Sequence, residues 1–194
     1  MSPKLAWLLL VVLLCAACGS SAKTTVTAPP PSKTRGFAIT PPVSAPNFAL
    51  RDQNGTTTGP RGLRGHWFVV AFLYTHCPDV CPVIASNLGV ALRQLPGLRV
   101  LAVSVDPKND TPAAVKAFLR AHHLPARFRY VTGTHAQLAP VWGRYHVAAI
   151  AGPKPIVSHT AFELLVDPHG RERVLYDAQV QARDVAADIK KLAA

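Results

Sequence analysis

Cys77 and Cys81, in the run Cys77-Pro-Asp-Val-Cys81, are the residues of this 194-residue chain whose type and spacing most directly imply chemistry. Converging thiolates can exchange disulfides, reduce a peroxide or hold a metal. Two intervening residues would favour plain thioredoxin-type exchange; the three present here, Pro78, Asp79 and Val80, still permit a disulfide and leave metal binding open. Pro78 suits a helix start, where its missing N–H has no partner to lose. The positive end of a helix dipole favours thiolate over thiol. Residues four apart share one helix face, which would bring the two sulfurs together.

The elements that must position the pair are legible in the hydrophobic pattern. Residues 66–75 contain Trp67-Phe-Val-Val-Ala-Phe-Leu-Tyr74, an apolar run of strand length that suits a strand buried on both faces. After the cysteines, Ile84, Leu88, Ala91, Leu92 and Leu95 recur at helical spacing until Pro96-Gly97. The pair therefore stands where a buried strand gives way to a helix, and in open α/β sheets sites form at the carboxyl ends of strands. Upstream, residues 48–58 read as a hairpin with Asn54-Gly55 in its turn. Downstream come a strand at 98–105, a helix at 113–122 with Asp110 as its cap, a strand at 127–132 and a helix at 134–145. A hairpin over 160–176 and a closing helix at 180–192 complete the order. Alternating strands and helices with a final hairpin give an α/β, thioredoxin-like fold with an N-terminal β-hairpin extension and an extra helical insert.

Composition sets the address. Hydrophobic residues make up 49% and charged residues 16% of the chain, a globular balance once the N-terminus is set aside. Residues 1–17 carry Lys4 followed by an apolar run over 5–17, which describes an export signal and falls short of the ~20 residues needed to span a bilayer. Ala16-Ala17-Cys18-Gly19 resembles a lipoprotein lipobox, although Cys15 stands where leucine is usual; Cys18 is then the lipidation site. Residues 18–46, rich in Pro, Ser and Thr, read as a tether, and the folded domain as 47–194. Of four cysteines, Cys77 and Cys81 alone remain for chemistry, too few for a disulfide-stapled scaffold. The net charge of +11 comes with scattered arginines and no basic helix stripe, which points away from nucleic acid and toward an anionic membrane surface or an acidic partner.

Three motifs in order carry a resemblance. Phe72-Leu-Tyr-Thr-His-Cys-Pro-Asp-Val-Cys-Pro82, Ser104-Val-Asp-Pro-Lys-Asn-Asp-Thr-Pro112, and Val157-Ser-His-Thr160 followed by Leu165-Val-Asp-Pro-His-Gly170 resemble the Sco/SenC family over roughly residues 47–192. The resemblance implies a membrane-tethered, thioredoxin-like protein that binds one copper ion through two cysteines and a histidine. It also implies a part in assembling the dinuclear CuA centre of cytochrome c oxidase, as copper donor, as thiol reductant, or both. By position the copper ligands would be Cys77, Cys81 and His159, with Asp79 and Asp106 as candidates to orient the ligands, shape the adjoining loop or face the partner. Two soft thiolates suit Cu(I), and an added imidazole lets the same site take Cu(II). A structural zinc site would require a fourth ligand. His76 adjoins the pair but precedes it and can point away. The implied partner is cytochrome c oxidase subunit II or another exported copper protein, met on the extracytoplasmic side of a membrane. Two other readings use the same thiols: disulfide exchange with an exported target, and, least well matched, peroxide reduction.

Overall fold

The structure is a computed structural model, and it describes residues 34–151 and 157–194. The expected signal segment, Cys18 and the tether up to residue 33 lie outside the described residues. Ten strands are described: β1 (Phe37–Ser44), β2 (Leu50–Asp52), β3 (Thr57–Thr58), β4 (Phe68–Leu73), β5 (Arg99–Ser104), β6 (Phe128–Thr132), β7 (Ala149–Ala151), β8 (Val157–His159), β9 (Phe162–Val166) and β10 (Arg171–Asp177). Four α-helices accompany them: α1 (Val80–Gln94), α2 (Pro112–Ala121), α3 (His135–Arg144) and α4 (Ala182–Leu192). A short 3-10 turn covers Pro60–Leu63.

Eight strands form one sheet in the order β1-β10-β9-β4-β5-β6-β2-β3, while β7 and β8 pair separately. β4, β5 and β6 run parallel, and β9 joins β4 antiparallel. All six residues of β4 are buried, none more than 1% exposed, which agrees with its unbroken apolar run. Each large side chain so buried contributes about 1.5–3 kcal/mol, making β4 the rigid stem under the cysteine loop. α1 buries Ile84, Leu88, Ala91 and Leu92, as their spacing predicts, and Ala85 with them, while Leu95 at its end is partly buried. This is the expected α/β, thioredoxin-like layering, with the β2–β3 hairpin added beside β6. Asn54 and Gly55 do occupy the hairpin turn, and Gly55 sits at φ +79°, where a side chain would be strained.

Two features depart from the sequence reading. Residues 37–44, read as tether, form β1 and pair antiparallel with β10. The register slips between Ala38 and Val43, where Pro41 and Pro42 supply no N–H, and such residues are tolerated only on a sheet edge. The entry to β1 is fixed by Asp188 of α4, whose carboxylate accepts the N–H groups of Arg35 at 2.7 Å and Gly36 at 3.3 Å and the Tyr176 hydroxyl at 2.9 Å. Gly36 lies so close to β10 that a Cβ there would come within 2.6 Å of the Leu175 carbonyl. The second departure is the β7–β8 ladder, too short to register as alternation in the sequence.

Among the described residues, Glu163 is the buried polar side chain left without a hydrogen bond. It lies on β9 between Ala71 of β4 and Tyr176 of β10, 1% exposed, and neither carboxyl oxygen has a hydrogen-bond partner. Burial, aided by the charge of Asp177, pushes its carboxyl up to about 9. A carboxyl raised in the folded state favours folding below its unfolded value, and that benefit fades as pH rises toward the folded value. The Glu163 contribution to stability is therefore expected to fall steadily from about pH 5 to pH 9. Relative to the wild type, Glu163→Gln should gain stability progressively over that range, by at least about 1 kcal/mol at pH 8–9 in urea unfolding; a difference that does not change with pH would refute the assignment.

Candidate metal centre

The site forms at the carboxyl end of β4. There Val105 N–H still bonds the Leu73 carbonyl at 3.0 Å, and Cys77 N–H turns back to the Tyr74 carbonyl at 3.3 Å. The first turn of any helix leaves N–H groups without internal partners. Asp79 is the N-cap residue of α1, yet its side chain makes no cap bond. Cys81 N–H instead donates to Cys77 Sγ at 3.4 Å. The sulfur of one cysteine thus takes the place of a cap oxygen for the turn that carries the other. Cys77 precedes α1 rather than lying on it, so a shared helix face is not what joins the sulfurs.

Both thiols are free and buried, 8% exposed at Cys77 and fully enclosed at Cys81. The hydrogen bond from the Cys81 thiol holds Cys77 down to about 5, against burial and with help from the Cys81 and Asp79 N–H groups and the Tyr74 side chain. Cys81 moves the other way, raised by that same hydrogen bond and by burial. At neutral pH the pair therefore shares one proton, carried by Cys81 and pointed at the Cys77 thiolate.

His159 lies on β8 opposite Ala149. Its half-buried ring meets Tyr74 edge-on, with centroids 5.9 Å apart and planes at 83°. His159 Nδ1 stands 3.0 Å from the Thr160 carbonyl. A carbonyl can only accept, so Nδ1 is assigned the proton, which leaves the Nε2 lone pair for a ligand. Burial lowers its pKa, opposed by Thr160 and by the charge on Cys77, and the neutral ring is the metal-binding form. Among the described residues no three His, Cys, Asp or Glu side chains gather tightly enough to hold a metal. The cysteines are a ready-made pair, and His159 stands beside Tyr74 at its edge.

The loop behind the pair is held by Asp110, which sequence reasoning read as a helix cap. Thr111 caps α2 instead, accepting Ala114 N–H through its side chain. Asp110 is 2% exposed and accepts Thr75 N–H at 2.8 Å, Thr75 Oγ1–H at 2.7 Å, Ser104 Oγ–H at 2.6 Å and the Tyr130 hydroxyl at 3.0 Å. Asp106 turns the loop, accepting Asn109 Nδ2–H at 2.7 Å, and does not reach the cysteines. Asp79 is exposed beside them, and His76 is exposed with Nδ1 3.0 Å from Thr75 Oγ1. Tyr74 was missed as a site residue, and Asp110, expected beside Asp106 to shape the loop and most simply to cap the helix, holds the loop without capping. Their signal lay inside the first two motifs, in a tyrosine next to the strand end and a second acid in the loop.

A sequence model of the SCO1/SenC family matches residues 39–194. The mitochondrial protein SCO2 homolog of Bos taurus is 32% identical over 160 residues, which cover 77% of this chain and 59% of that protein, so the chain spans about three fifths of its relative's length. The structure of Bradyrhizobium japonicum ScoI with copper bound matches at 31% identity and a TM-score of 0.67, covering 77% of this chain and 98% of that one. A SCO1/SenC family lipoprotein of Bacillus anthracis shares the fold at a TM-score of 0.71 and 23% identity, covering 81% of this chain and 100% of the other.

The asymmetry of the pair is directly measurable. Alkylation of the reduced protein by iodoacetamide should modify Cys77 first, with a rate that stays level from pH 8 to pH 6 and falls through about pH 5. A profile centred near the ordinary thiol value, or Cys81 reacting first, would contradict the hydrogen-bond assignment.

Proposed function

The chain belongs to the SCO1/SenC family, and on that premise we propose that it is a membrane-tethered copper metallochaperone that assists assembly of the CuA site of cytochrome c oxidase. The observation that carries the reading is the pair of reduced, buried sulfurs joined by the Cys81 N–H bond to Cys77 Sγ at a helix start. Two soft donors so placed suit Cu(I), with copper as cargo rather than catalyst. Cys77 offers a thiolate already formed; Cys81 gives up its proton on loading; His159, with Nε2 turned outward from the Thr160 carbonyl, supplies the third donor once the β7–β8 hairpin approaches. Cys18, in its lipobox-like setting, is the proposed anchor, and it places the domain on the extracytoplasmic side. The Bacillus anthracis relative's description as a lipoprotein supports that address. The recipient would be cytochrome c oxidase subunit II or another exported copper protein.

The split between the two thiols favours one second reading, a thiol–disulfide reductase. The Cys77 thiolate would attack a target disulfide, forming a mixed disulfide and releasing one target thiolate. Cys81, losing its proton, would then attack Cys77 Sγ, closing the Cys77–Cys81 disulfide and releasing the second target thiol. That chemistry has no use for an imidazole at position 159.

Anaerobic Cu(I) binding to the reduced compact unit, residues 31–194, against a competing chelator separates the two readings. One tight equivalent is expected, weakened at least about tenfold by His159→Ala and lost in Cys77→Ser. Binding indifferent to His159, or no tight binding, would transfer the function to disulfide exchange.

A further inference from the structure

We propose that the end of the domain opposite the cysteines is a docking surface for an anionic membrane. The arginines that are scattered in sequence are gathered there by the fold. β4, β5 and β6 run toward the cysteine end, and α1 and α2 return from it. Arg93 and Arg120 in the last turns of those helices therefore lie at the far end, together with Arg99 and Arg127 at the starts of β5 and β6. The start of β10, just after the turn from β9, adds Arg171 and Arg173. Arg61 and Arg64 join them, because Gly65 N–H bonds the Pro168 carbonyl of that turn at 2.8 Å.

The acids are distributed the other way. Asp79, Asp106, Asp110, Asp177 and Asp184 all stand at or near the cysteine end, on the first turns of α1 and α4, the loop after β5 and the end of β10. At the far end, eight arginines face two carboxylates, Asp167 and Glu172. Asp167 is already shared by Arg171 at 2.9 Å and Arg173 at 3.2 Å. Arg93, Arg99 and Arg127 are held by neutral carbonyls, including those of Leu92, Leu95 and Leu98 on Arg127, which position the guanidinium groups without cancelling them. Favourable helix dipoles account for Arg93 and Arg120 and for no other member.

The kind of partner follows from what accompanies the charge. Protein interfaces place apolar anchors at their centre. The exposed large apolar side chains described are Val83 on α1, the helix that carries Cys81, Ile150 on β7, the strand paired with that of His159, and Phe37 and Val43 along edge strand β1. Of these, Val43 borders the arginines, paired with Glu172 of β10, and a single valine is not an apolar anchor. A layer of anionic headgroups requires only the charge, at about 1 kcal/mol for each basic residue near the surface. Docked this way, the cysteine pair faces away from the lipid, raised by the length of β4, about 20 Å. The inference goes beyond the copper reading and takes from it only the membrane address; vesicle binding is measured whether or not the cysteines hold copper.

The test is co-sedimentation of the compact unit, residues 31–194, with phosphatidylcholine vesicles with and without phosphatidylglycerol, at low and physiological salt. The apolar leader is omitted because it would enter a bilayer by itself. Binding is expected only with phosphatidylglycerol, weaker at higher salt, and weaker by about a hundredfold in R61Q/R64Q/R120Q, since each lost charge costs roughly fivefold. K108Q/R183Q, which removes two cations at the cysteine end, should bind as the wild type does. Equal binding to pure phosphatidylcholine, full binding by the triple variant, or an equal loss in the double variant would overturn the proposal. Capture by soluble polyglutamate with no binding to anionic vesicles would also overturn it, in favour of an acidic protein partner.

Discussion

The hydrogen bond from Cys81 N–H to Cys77 Sγ is the contact on which the rest of the site depends. It satisfies a backbone donor that the first turn of α1 would otherwise leave open, so the helix gains a cap only when Cys77 is in place. In return, the helix end stabilises negative charge on that sulfur. Folding and reactivity are therefore set by the same few atoms. The Asp79 side chain, the conventional capping group at this position, is left exposed and free of that duty.

Behind this contact, Asp110 joins parts of the chain distant in sequence. Through Thr75, Ser104 and Tyr130 it connects the cysteine loop to β5 and β6, and Trp142 of α3 closes the arrangement by donating to the Ser104 carbonyl at 2.9 Å. The carboxyl is raised by its burial and drawn down again by these donors. Its four hydrogen bonds, two of them from Thr75, hold the loop from below, while the opposite side of Cys77, at Pro78 and Asp79, stays open to solvent. A rigid floor and an open face are what a site needs if its contents are to be handed to another molecule.

Much of this was legible in the residues. The continuous apolar run of β4 and the 3.6-residue spacing of α1 located the cysteines at a strand–helix junction, because burial on both faces and on one helix face leaves clear periodic traces. What was illegible was local geometry. Asp110 in Asp110-Thr111-Pro112 looked like a cap by the same rule that made Thr111 the actual cap, and sequence alone cannot say which of two adjacent acceptors turns inward. The approach of His159 to Tyr74 runs through the β7–β8 ladder, whose three-residue strands carry no readable period. Residues 37–44 were read as tether because proline signals the absence of a ladder, and here proline marks a strand that needs its ladder on one side only.

That edge strand affects how the molecule behaves in a crowded compartment. A bare sheet edge is a row of unpaired donors and acceptors, open to any other extended chain. β1 occupies the edge offered by β10, and Pro41 and Pro42 leave its own outer margin short of donors. The chain thus ends its own sheet with a segment that pairs inward and resists pairing outward. A fragment cut at residue 47 would keep the cysteines and most of the core, yet it would expose β10 along its length. Such a fragment would be prone to polymerise strand to strand, for reasons unconnected with metal or thiol chemistry.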